Sequence, residues 1–173
     1  MLNSFMINLV NRFVELALAP VYFSDMLWII LPLISAMVLI DIYFGRYKFE
    51  ELGWNTAYGN SLVLIFVSFD LMRFLYNNDL ITPITFQSAI VFGLIIVGLF
   101  LVISTFFHVF TKEVTFNLET VTPINISSYV VVVLVYSKVP LDIYTVISGI
   151  SLAVLIYLII KLIWFLMPEN FDA

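Results

Sequence analysis

The longest apolar segment of this chain sets the strongest limit on its fold. Residues 86–111 contain no Asp, Glu, Lys or Arg. A helix of that length can cross the ~30 Å hydrocarbon core of a bilayer, since each residue adds ~1.5 Å. Hydrophobic residues make up 63% of the 173 residues and charged residues 11%, whereas soluble domains average about 45–50% and about 25%. A water-soluble domain could not bury so much apolar surface, so the sequence predicts a multi-pass integral membrane protein.

Further segments have the length and apolarity of membrane-spanning helices. The sequence therefore predicts a single all-α transmembrane domain over residues 1–173, a helical bundle of about five spans. Their predicted bounds are 26–44, 57–76, 86–111, 124–139 and 143–167. The segment 124–139 is the shortest, so four spans plus one re-entrant segment is the alternative. Polar and apolar residues do not alternate along these segments, which argues against a β-barrel.

Residues 2–18 follow a different pattern. The polar residues Asn8, Asn11, Arg12 and Glu15 recur at helical spacing among apolar ones. This pattern is typical of an amphipathic helix that lies in the membrane interface, and a helix packed on the rest of the protein is the alternative. Arg12 and Glu15 also interrupt the apolar stretch, which argues against a cleaved signal peptide.

Two opposite charges lie inside the second span. The stretch FVSFDLMRFLY, residues 66–76, carries Asp70 and Arg73, which share one helix face because they are three residues apart. Pairing lowers the cost of each charge in lipid, and Arg73 can extend towards the membrane edge. Asn60 lies on the same side of the predicted helix. This polar stripe indicates either a polar path or binding cavity, or a satisfied interior network that fixes helix packing.

His108 completes the candidate intramembrane polar network of Asn60, Asp70, Arg73 and His108. It is the only histidine in the sequence, and it shares a face of the third predicted span with small and hydroxyl residues. A histidine there is a candidate proton relay or pH sensor. The alternative is a hydrogen-bonded packing residue.

Asp41 and Lys161 form a second candidate cluster. We call the membrane side of the 45–56 loop side A and the opposite side side B. Asp41 near the end of the first span and Lys161 near the end of the last lie at the same level close to side A. They are a candidate charge cluster, and snorkelling of Lys161 alone is the alternative. Lys and Arg are too evenly divided between the sides to fix the orientation.

The residue inventory narrows the classes of function. The chain has no cysteine, which excludes thiolate nucleophiles and cysteine-ligated metals. Motifs of serine hydrolases, zinc proteases and phosphate-binding loops are also missing from the sequence. We therefore expect no enzyme activity, cofactor or metal, and without a basic patch we expect no nucleic-acid partner. A membrane enzyme is the weakest alternative, with Glu50, Glu51 and His108 as its acid–base groups.

Small residues, which suit contact between helices, are frequent in the predicted spans. Small residues let transmembrane helices approach closely. The sequence therefore favours a structural or accessory subunit of a membrane complex, or a self-associating scaffold. The expected partners are the lipid bilayer and other membrane proteins, in a homo- or hetero-oligomer. The alternative is an ion, proton or small-solute channel or transporter component that uses the polar stripe around Asp70 and Arg73.

Overall fold

The computed structural model describes residues 2–46, 53–81 and 85–166. Its helices are α1 (Leu2–Tyr22), α2 (Leu27–Arg46), α3 (Trp54–Asn77), α4 (Phe86–Phe106), α5 (Lys112–Leu118), α6 (Val121–Tyr136) and α7 (Ile143–Leu166), with a one-turn 3-10 helix at Ser24–Met26. No strand occurs in these ranges, so the predicted all-α bundle is confirmed. Glu50 and Glu51, the possible acid–base groups, lie outside the described residues.

Six helical segments of the described chain are long and apolar enough to cross a membrane. Five correspond to the predicted spans, namely α2, α3, α4, α6 with the preceding α5, and α7, and the sixth is α1. When α6 is compared without α5, the largest difference from the predicted bounds is at α4, which ends at Phe106 rather than at residue 111. His108 has a φ of 52°, and a left-handed residue at this position ends a helix. Lys112–Leu118, predicted as loop, forms α5.

Helix α6 lies at the centre of the bundle. It packs against α2, α3, α4 and α7, and most of its side chains are buried. Thr122 at its start contacts Asp41 near the side A end of α2. Tyr136 at its end contacts Asp70 in the side B half of α3. The helix thus runs from one side of the bundle to the other and does not turn back as a re-entrant segment would.

Helix α1 packs along side B. The Phe5 and Tyr144 ring centroids lie 5.3 Å apart, and the Ser148 hydroxyl donates to the Leu9 carbonyl oxygen at 3.3 Å. Tyr144 and Ser148 belong to the first turns of α7, which begins on side B. The other end of α1 leads through the 3-10 helix into the start of α2, also on side B. This is the placement expected of a helix that lies in the membrane interface.

Two glycines of α4 have different surroundings. A Cβ atom added at Gly98 would lie 2.8 Å from Ile65 Cδ1 and 3.2 Å from Leu64 Cβ. Glycine therefore allows α3 and α4 to pack closely at this point. Gly93 is exposed, and no atom lies within 4 Å of a Cβ atom built on it. Only Gly98 is needed for the contact between these two helices.

We predict that Gly98→Leu lowers the free energy of unfolding by about 1–3 kcal/mol, because the added side chain overpacks the contact with Leu64 and Ile65. Gly59→Leu is the matched control, because Gly59 of α3 is exposed and no atom lies within 4 Å of a Cβ atom built on it. It should leave the free energy of unfolding unchanged or raise it, since leucine favours a helix more than glycine does. Denaturant titration of both proteins in one detergent measures the difference. Equal losses would show that the α3–α4 contact is not tight at Gly98.

Candidate functional site

A cavity of about 520 Å³ opens on side A between α2, the start of α6 and the end of α7. Asp41 and Lys161 both line it and attract each other electrostatically, so the structure brings the two predicted residues together. The Thr122 hydroxyl lies 3.0 Å from Asp41 Oδ1 and donates to the carboxylate. The Lys161 ammonium lies 5.6 Å from the centroid of the Tyr157 ring and 5.5 Å from that of Trp164. We call this site the side A cavity.

A second polar site surrounds Glu119, which follows α5 and is only 1% exposed. Ser61 Oγ donates to Glu119 Oε2 at 2.5 Å, and Thr105 Oγ1 lies 2.6 Å from both carboxyl oxygens. Asn60 Nδ2 donates to the Glu119 backbone oxygen at 2.7 Å. No described lysine or arginine lies within ion-pair distance of this carboxyl group. Side chains of α3 and α4 thus hydrogen-bond to a buried acid that has no counter-ion among the described residues. We call Glu119 with Asn60, Ser61 and Thr105 the Glu119 cluster.

Sequence reasoning missed Glu119 as a site residue because it lies between the predicted spans 86–111 and 124–139. The available signal was a set of donors without an acceptor. Asn60 and Ser61 near the start of one span, and Thr105 near the end of the next, lie at the same level close to side A. Buried donors require acceptors, and Glu119 lies in the connection on that side.

A third polar site lies near side B. Asp70 Oδ1 accepts a hydrogen bond from Arg73 Nη2, and Asp70 Oδ2 accepts one from the Tyr136 hydroxyl at 2.8 Å. The Arg73 side chain is 63% exposed and that of Asp70 is 17% exposed, so the guanidinium extends outward. The Tyr136 ring also stacks on Phe74, with 4.0 Å between centroids. These contacts, which we call the Asp70 cluster, join α3 to α6.

The four residues predicted as one intramembrane network occupy three separate places. Asn60 belongs to the Glu119 cluster, whereas Asp70 and Arg73 lie ~15–20 Å further along α3 at ~1.5 Å per residue. His108 is exposed, and its ring centroid lies 4.0 Å from that of Trp54. The histidine thus lies just after the end of α4, packed on an aromatic ring near side A.

An apolar layer separates the Glu119 cluster from the Asp70 cluster. Leu64 and Val67 of α3 and Val132 of α6 are each at most 3% exposed and belong to one core. The hydroxyl of Ser68 donates its single proton to the Leu64 carbonyl oxygen of its own helix at 2.6 Å, so it donates no hydrogen bond across the layer. Among the described residues, no hydrogen bond joins the Glu119 cluster to the Asp70 cluster.

Arg12 of α1 links this helix to the turn before α7. Its guanidinium lies 2.8 Å from a Glu15 oxygen and 3.3 Å from an Asp142 oxygen. Asp142 Oδ1 also accepts a hydrogen bond of 2.7 Å from the backbone N–H of Thr145. The Thr145 hydrogen bond, and secondly the Arg12 charge, lower the pKa of Asp142 from its ordinary value of 3.8.

Comparison with protein-family models, with curated proteins and with solved structures gives no match for this chain. Within the described ranges, no group of three or more His, Cys, Asp or Glu could hold a metal ion. The geometry of the chain itself is therefore the basis for its functional assignment.

We predict that Glu119→Leu lowers the free energy of unfolding by about 1–3 kcal/mol more than Glu119→Gln does. Leucine leaves the buried Ser61 hydroxyl without its acceptor, whereas glutamine keeps a carbonyl oxygen in place. Denaturant titration in one detergent measures both variants. A leucine variant as stable as the glutamine variant would contradict the assignment of Glu119 as the acceptor of this cluster.

We predict a loss of stability at acid pH that depends on Asp142. Its pKa is lower in the folded protein than its ordinary value of 3.8, so the ionised carboxylate favours the folded state at higher pH. That contribution is fully present above the ordinary pKa and is lost as pH falls through the folded pKa. Melting temperatures at pH 7 and pH 3 should therefore differ less for Asp142→Asn than for the parent protein. The same difference in both proteins would contradict this role.

Proposed function

We propose that the protein is a non-catalytic membrane component, either an accessory subunit of a membrane complex or a self-associating scaffold. The observation that carries this proposal is the outward face of α4. Ala89 and Gly93 are exposed one helical turn apart on that face, and the space beside Gly93 is open. Small residues at this spacing let a second helix approach closely.

Glycine within a helix costs about 0.5–1 kcal/mol relative to alanine. Gly98 offsets that cost inside the chain because it lets α3 approach α4, and Gly149 lies against Val130 of α6 at 3.7 Å. Gly93 has no such contact within the described chain. A helix from another protein or a second copy would give this position the contact that the other two glycines make internally.

Transport is the less favoured function. A conduction path requires polar groups or water across the whole bundle, yet the Glu119 cluster and the Asp70 cluster are separated by the apolar layer of α3 and α6. Within each cluster, the charged and hydroxyl groups form hydrogen bonds with one another. Such closed clusters support a role in fixing helix packing.

The test is the native mass of the protein after gentle solubilisation from its own membrane. We expect an assembly larger than one chain, and we expect Gly93→Leu to shift the protein to the mass of a single chain. Ala36→Leu is the matched control, because Ala36 is also a small exposed residue, on α2. It should leave the assembly intact.

Two results would contradict this proposal. One is a parent protein that carries only detergent and lipid at the mass of one chain. The other is an assembly that Gly93→Leu and Ala36→Leu affect equally, since the face of α4 would then not be the contact. The melting temperature of Gly93→Leu shows whether the variant is folded, so loss of assembly and loss of fold are distinguishable.

A further inference from the structure

We propose that the side A cavity binds the headgroup of a membrane phospholipid that carries both a phosphate and a primary ammonium group. The cavity presents one carboxylate and one ammonium, from Asp41 and Lys161, to the same space. This site is independent of the α4 face on which the proposed accessory role depends.

The Asp41 carboxylate has hydrogen-bond acceptor positions that no described residue fills. A carboxylate can accept about four hydrogen bonds. Thr122 is the only described donor to Asp41, and a hydroxyl has a single proton to give. The carboxylate is partly buried on α2, where a charge needs a partner. A primary ammonium, with three N–H donors, would fill these positions and neutralise the charge.

The Lys161 ammonium has hydrogen-bond donors that no described residue accepts. Its ammonium carries three donors, and among the described residues no oxygen accepts from it. Its contacts are the faces of the Tyr157 and Trp164 rings, which hold the cation without using its N–H groups. Lys161 and Asp41 are also not within ion-pair distance of each other. A phosphate seated between them would accept from Lys161 and leave Asp41 for the ammonium.

The remaining walls of the cavity point to a lipid and not to a water-soluble zwitterion. Ile40, Phe44 and Ile160 line the cavity beside the charged groups, so one molecule would meet both polar and apolar surface. Tyr157 and Trp164 are of the residue types that concentrate at the headgroup level of a membrane. A volume of about 520 Å³ lies within the ~300–1,000 Å³ range of small-molecule sites.

The test uses the 173-residue chain reconstituted in vesicles with equal amounts of phosphatidylethanolamine, phosphatidylcholine and phosphatidylglycerol that share the same acyl chains. After transfer to detergent, native mass spectrometry counts the lipids that each chain retains. We expect about tenfold preference for phosphatidylethanolamine, the lipid that satisfies both charges, over the other two. Phosphatidylcholine lacks N–H donors for Asp41, and phosphatidylglycerol lacks the cation.

Asp41→Asn and Lys161→Gln should each reduce this preference about tenfold. Asparagine keeps an oxygen that accepts from Thr122, so the fold around the cavity is preserved. Asp25→Asn and Lys138→Gln are the matched controls at side B and should retain phosphatidylethanolamine as the parent protein does. Melting temperatures verify that each variant is folded.

Several outcomes would overturn the proposal. Equal retention of all three lipids by the parent protein would mean that the cavity does not read the headgroup. Preference for phosphatidylglycerol would mean that Lys161 binds a phosphate without help from Asp41. Unchanged retention in both cavity variants would place the bound lipid elsewhere on the protein.

Discussion

Helix α6 is too short and too polar to be stable when lipid surrounds it, so its stability depends on packing against the other helices of the bundle. With 16 residues it spans ~24 Å, which is less than the ~30 Å of hydrocarbon. It also carries the buried polar residues Asn125 and Ser128. Surrounding helices remove its surface from lipid, and α2, α3, α4 and α7 all pack against it. Thr122 and Tyr136 then fix its two ends by hydrogen bonds to carboxylates of α2 and α3.

The same constraint explains where the remaining polar groups lie. A polar group inside the hydrocarbon region needs a partner within the protein, and the Glu119 and Asp70 clusters supply partners from two or more helices. Each cluster lies near one side of the bundle, and most of the buried side chains between them are apolar, with Ser68 and Ser128 as exceptions. The two proposed contact sites, the outward face of α4 and the side A cavity, both lie outside this apolar core.

The sequence predicts the features that depend on local spacing. Apolar segment length gives the spans, and the three-residue spacing of Asp70 and Arg73 places them on one face. Distance to the end of a span likewise places Asp41 and Lys161 at one level. Contacts between distant segments depend on how each helix is rotated and which helices are neighbours, and periodicity does not contain that information. The Tyr136 contact with Asp70 and the burial of Glu119 were missed for this reason.

A closed interior requires that water does not reach the apolar layer between the Glu119 cluster and the Asp70 cluster, and cysteine labelling measures this directly. Because the chain has no cysteine, single cysteines can be introduced without a background signal. A water-soluble maleimide is applied to both sides of native membranes. It should label Lys138→Cys, because Lys138 is exposed at side B. Val132 is 0% exposed, so the maleimide should label Val132→Cys only after denaturation. Labelling of Val132→Cys in native membranes at the rate of Lys138→Cys would reveal a water path through the bundle and contradict the closed interior.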